Sequence, residues 1–118
     1  MPEQPGLPFF QPHSPVIIMP TYVIEREIPG VHKLSARDQK AAALNSNRSL
    51  KALGPEIQWS HSYISPDTTH CVYIAENEEI IRKHAEHAEL PITKISEVKN
   101  ILDPTRAEMN VSEDEVAV

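Results

Sequence analysis

The chain has 118 residues, 40% of them hydrophobic, enough for one compact domain with a modest core and no metal or disulfide staples. Its net charge of -6, with eleven scattered Lys and Arg, argues against a nucleic-acid binder, because phosphate contacts need clustered cations. The single cysteine, Cys71, excludes an intramolecular disulfide and fits a reducing compartment, so a cytoplasmic location is expected.

The first 18 residues carry prolines at positions 2, 5, 8, 12 and 15, each of which fixes φ and removes a backbone donor. An extended arm is expected here. Its apolar residues Phe9, Phe10, Val16, Ile17 and Ile18 suit docking on the body or on a partner subunit. Met19 is a second candidate start, which would make the arm dispensable. No apolar run approaches the roughly 18 residues that span a bilayer, and the start lacks a secretory leader pattern, so neither feature is expected.

Thr21 to Glu27 combines β-branched and aromatic residues in partial alternation and is stopped by Pro29-Gly30, which predicts a first strand. Ser35 with Asp38 three residues on is an N-cap pattern. It opens a helix with apolar positions at Ala41, Ala42, Leu44, Leu50 and Leu53, closed by Gly54-Pro55. The middle of that helix, Asn45-Ser46-Asn47, has weak propensity and needs tertiary support. Glu56 to Ser65 and Thr68 to Ala75 read as a hairpin around Pro66-Asp67. Asn77 then caps a second helix, with Glu78 and Glu79 at its positive end and His84 and His87 in its later half, ending before Pro91. Ile92 to Leu102 is the last predicted strand, stopped by Asp103-Pro104. Glu108 to Val118 is acidic and core-poor, the composition of a disordered tail.

The order β-α-β-β-α-β is the split βαβ, ferredoxin-like arrangement: an α+β domain with a four-stranded antiparallel sheet and both helices on one face. Strand alternation places Trp59, His61 and Tyr63 together, and a bare sheet face lined by Trp59 and tyrosines would expose a large apolar patch. A homodimer with the two sheets facing each other as an α/β barrel is the expected outcome, with Trp59 and Tyr73 lining its interior.

The run Trp59…Ser62-Tyr63…Cys71-Val72-Tyr73-Ile74-Ala75, then Ile81-Arg82-Lys83-His84-Ala85, Leu90-Pro91, Ile95, Glu97-Val98 and Asp103-Pro104, resembles a small bacterial family of ferredoxin-like, nickel-binding proteins. That family was long treated as a domain of unknown function, and its known member dimerises. Arg26-Glu27-Ile28-Pro29-Gly30 is similar to the family's first strand and its Pro-Gly exit, and the resemblance extends over roughly Pro20 to Pro104. The family often carries Gly before Leu-Pro, where this chain has Glu89. The resemblance implies a dimer holding a divalent metal, nickel first and zinc or another transition ion as alternatives.

Imidazole suits nickel, copper and zinc, and a thiolate adds affinity for softer ions, so His61 and Cys71 are credible ligands. Tyr63, Cys71 and His84 match the family's pattern, and with His61 they form the candidate metal set that the resemblance implies. A three-residue hairpin loop, Pro66 to Thr68, would set Tyr63 opposite Cys71 and His61 opposite Tyr73 on one face; a loop one residue shorter sets His61 opposite Val72 and breaks the cluster. Each candidate also has a plain structural reading. Cys71 suits a small buried hydrophobe, Tyr63 an aromatic packing residue, His84 a hydrogen bonder, and His87, at i, i+3 from it, a cation at a helix C-terminus. His13, His32 and His70 have no partner pattern. No catalytic triad and no Gly-rich phosphate loop is evident, so a binding protein is favoured over an enzyme. The alternative is a small dimeric-barrel enzyme, or a binder of an organic ligand in the aromatic barrel interior.

Overall fold

The computed structural model describes residues 19–113 and 116, so the proline-rich arm lies outside the described residues. Four strands and two main helices follow the expected order: β1 (Thr21–Glu27), α1 (Ala36–Leu53), β2 (Ile57–Ser65), β3 (Thr68–Ala75), α2 (Glu78–Ala88) and β4 (Lys94–Glu97). The sheet runs β2-β3-β1-β4 with every neighbouring pair antiparallel, the strand order of a ferredoxin-like domain. Alternate residues of β1 and β3 are buried, Tyr22, Ile24 and Arg26 on one strand and Thr69, Cys71, Tyr73 and Ala75 on the other. This face meets Leu50 and Leu53 of α1 and Ile80 and Ile81 of α2 to make the core. Ile24 and Ile81 are fully buried, each contributing about 1.5–3 kcal/mol through loss of apolar surface from water.

Helix ends follow the predicted chemistry. The Ser35 hydroxyl accepts from the Asp38 amide at 3.1 Å, and Asn77 Oδ1 accepts from the Ile80 amide at 3.0 Å, each satisfying an orphan donor of the first turn. The weak middle of α1 is held from outside, since Asn45 Nδ2 donates to the Ala88 carbonyl at 2.9 Å and Ser46 and Ser49 are buried against the body.

Two expectations about the sheet change. The hairpin loop has two residues, Pro66 and Asp67, and Ser65 pairs with Thr68. Asp67 enters the left-handed region (φ 59), which Asp tolerates better than most side chains. The turn is clamped from behind: Asp67 Oδ1 accepts from the Gly30 amide at 2.7 Å, and the Asp67 amide donates to His32 Nδ1 at 3.1 Å. Tyr63 therefore faces His70, Ser62 faces Cys71 and His61 faces Val72, so the register that would have joined Tyr63 to Cys71 is not adopted.

Second, β2 carries a bulge between Trp59 and His61. The extra residue, Ser60, reverses the alternation beyond it: Ile57, Trp59, Ser62 and Ile64 pair with the buried side of β3, while His61 and Tyr63 turn to the outer face. Trp59 Nε1 donates to Ser62 Oγ at 2.9 Å across the bulge, tying together the two residues it brings to one side. Trp59 and Tyr73 thus belong to the helix-covered layer and not to the open sheet face, which corrects the barrel lining expected of them. The last strand is also shorter than Ile92 to Leu102, because only Lys94–Glu97 pairs with β1. A short 3-10 turn, Pro104–Glu108, follows it.

At the end of α2, Glu89 stands in the left-handed region (φ 58, ψ 47), with the Leu90 amide donating to the Ala85 carbonyl at 2.7 Å and the Glu89 amide to the Glu86 carbonyl at 3.2 Å. These are the two bonds of a Schellman ending, made without the glycine that fits it best. Glu89→Gly is expected to stabilise the domain by about 1 kcal/mol, read as a rise of several degrees in the thermal midpoint. An unchanged or lower midpoint would contradict the strain assigned to this position.

Candidate functional site

The sheet separates the metal-capable side chains into two groups. On the outer face, His61 Nε2 lies 3.2 Å from the Tyr63 hydroxyl with the rings edge-on at 5.0 Å, and His61 Nδ1 lies 2.8 Å from Ser60 Oγ. Tyr63 is 62% exposed. His70 is its cross-strand partner, and His70 Nε2 sits 3.8 Å from Glu25 Oε1 on the next strand. His61, Tyr63, His70 and Glu25 thus lie on adjacent strands of one open face. His70 had no partner pattern in the sequence; pairing register alone gives it one.

On the helix-covered face runs a buried polar chain. Arg26 Nη2 reaches the Tyr73 hydroxyl at 3.5 Å, that hydroxyl lies 3.0 Å from His84 Nε2, and His84 Nδ1 lies 2.9 Å from Ser49 Oγ, which also meets His87 Nδ1 at 3.3 Å. Guanidinium only donates, so the Tyr73 oxygen accepts from Arg26 and donates its proton to His84 Nε2, leaving Nδ1 of His84 as the donor to Ser49. His84 is fully buried and held neutral, its pKa lowered to about 4 by desolvation first and then by the charge of Arg26 and by His87. Burial likewise pushes Tyr73 up to about 12, so it stays a phenol. Both ring nitrogens of His84 are engaged, and the hydrogen-bonding reading of this residue is the one its surroundings satisfy. Cys71 is buried beside this chain with its thiol 3.5 Å from Thr69 Oγ1.

Tyr63, His61, Cys71 and His84 consequently do not surround a single ion within one chain: the first two project from the outer face and the last two lie beneath the sheet. Among the described residues no three His, Cys, Asp or Glu side chains are grouped to hold a metal ion. His61 and Tyr63 present an exposed imidazole and phenol side by side, whereas His84 is fully buried with both ring nitrogens engaged.

Between α1 and the sheet lies a pocket of about 420 Å³. Trp59, Cys71, Tyr73 and Arg26 form its sheet side, and the small residues Ala42, Ala43 and Ser46 form its helix side. Sequence reasoning missed Arg26 here, although its spacing from Tyr22 and Ile24 by twos had placed it on their face. Among the described residues no helix is long and apolar enough to cross a membrane.

The neutral His84 makes stability depend on pH. Its native pKa lies below the unfolded value of 6.5, so its contribution is complete above that value and is lost as pH falls toward about 4, where the unfolded chain binds the proton and the native state resists it. The loss from this residue is on the order of 3 kcal/mol. Chemical denaturation of wild type and His84→Gln across this range should give a steeper loss for wild type, and parallel curves would contradict the assignment.

The model of the nickel-responsive protein family described as SCO4226-like matches residues 22–98. No curated protein matches the sequence. Among solved structures, that of SCO4226 from Streptomyces coelicolor A3(2) is similar, with a TM-score of 0.58 at 15% identity over 70% of this chain and 99% of that one. At that identity the likeness establishes the fold. The family match, which spans the sheet, both helices and the Pro-Gly exit, establishes that the chain belongs to the nickel-responsive, SCO4226-like family.

Proposed function

We propose that this protein is a homodimer that binds a divalent transition metal, nickel in the first instance, on the sheet face away from the helices. The observation that carries the reading is the exposed pair of His61 and Tyr63, 3.2 Å apart, on the face that the helices leave open. Family membership supports nickel as the ion. His70 and Glu25 stand on neighbouring strands of that face and are the nearest candidates for further donors.

A second copy answers two needs at once. The described residues of one chain supply too few grouped donors, and the open face carries half-buried Val23, Val72 and Ile74 among its polar residues, a surface suited to pairing with itself. Two such faces brought together would double the imidazoles and phenols around each ion and shield them from water. Ligation requires neutral imidazole, and phenolate where tyrosine coordinates, so affinity should weaken on acidification as protons compete.

Calorimetric titration of tag-free, metal-free protein with nickel chloride is expected to show saturable binding that weakens at least tenfold in His61→Ala. Absence of saturable binding to wild type, or full retention of affinity in His61→Ala, would overturn the proposal.

A further inference from the structure

We propose that the pocket between α1 and the sheet is a second binding site, on the opposite side of the sheet from the metal face, and that it takes a small organic carboxylate with a compact apolar body. Arg26 carries the argument. It is 1% exposed, yet none of the ion pairs of the described residues includes it, and no residue lining the pocket is acidic. A buried guanidinium without a counter-charge is costly, and proteins retain such groups where an anion completes them.

The hydrogen bonds show which edge of the group is free. Nη1 donates to the Pro91 carbonyl at 2.6 Å. Nη2 has only the Tyr73 hydroxyl at 3.5 Å, the limit of a hydrogen bond, and Nε is buried with no partner. Nε and Nη2 share one side of the planar guanidinium, and that side is the fork that grips a carboxylate with two parallel bonds. Tyr73 cannot serve as the anion, because its own surroundings keep it protonated.

The rest of the pocket selects the body of the ligand. Val31, Trp59 and Cys71 give apolar walls, and Ala43 on α1 leaves room where a larger side chain would close the gap. At about 420 Å³ the volume is that of an ordinary small-molecule site. This relocates ligand binding from the barrel interior, where alternation had placed Trp59, to the helix side, where the bulge puts it. The proposal uses none of the outer-face donors, so it stands or falls apart from the metal reading.

Trp59 is the chain's single tryptophan and lines the pocket, so its fluorescence reports occupancy directly. The test titrates metal-free full-length protein with 4-phenylbutyrate and with neutral 4-phenylbutanamide, which share a body and differ in charge. The acid is expected to shift Trp59 emission saturably and to bind at least tenfold more tightly than the amide. Arg26→Gln should remove that preference. Because this variant removes a buried residue, Ala43→Phe serves as the second arm: it keeps Arg26, fills the pocket and should abolish binding of both compounds while the far-ultraviolet circular dichroism stays native. Equal binding of acid and amide to wild type, no binding of either, or undiminished binding to Ala43→Phe would each overturn the proposal.

Discussion

The register of one hairpin governs everything else in this molecule. A strand displays its side chains alternately, so a shift of one residue exchanges its two faces completely. Here the shift occurs inside β2, at Ser60, and the pairing beyond it is anchored by the two-residue turn at Pro66-Asp67. The turn is itself fixed from outside, by the Gly30 amide and His32 on the loop that leaves β1. A contact between two loops therefore decides whether His61 and Tyr63 meet Cys71 or stand away from it.

The consequence is a division of chemistry between the two sides of the sheet. Beneath it, an arginine, a phenol, an imidazole and a hydroxyl form one hydrogen-bonded chain from β1 through β3 to both helices. Low dielectric strengthens each bond in such a chain and also makes each unmet donor costly, so the single orphan in it, Arg26 Nε, stands out. Above the sheet, imidazole and phenol are exposed and can exchange their present hydrogen bonds for a ligand at little cost. The same residue types thus serve structure on one side and are available for coordination on the other.

Much of the fold was legible in the sequence because local signals agreed with one another. Strand β1 ends where the β-branched run meets Pro29-Gly30, α1 begins at a Ser35 cap, and α2 begins at an Asn77 cap. What could not be read depends on contacts distant in the chain. Nothing local to Trp59-Ser60-His61 marks a bulge, since alternation continues without a glycine to signal it. Pro66-Asp67 suits a two-residue loop as well as a three-residue one, and the choice is made by residues some 35 positions earlier. The last strand is short for a similar reason: its contact with β1 ends where the Val98 amide donates to the carbonyl of Thr21, the first residue of β1, at 2.8 Å.

The site was legible in part. His61 and Tyr63 came together as alternation implied, while Trp59, expected beside them, turned inward. The proposed coordination by His61 and Tyr63 on the outer face excludes the buried thiol. X-ray absorption at the nickel edge of tag-free, nickel-loaded protein tests it most directly. Outer-face coordination predicts a shell of nitrogen and oxygen ligands with an imidazole signature and no sulfur, whereas a sulfur ligand would place Cys71 on the metal and contradict the division of chemistry across the sheet.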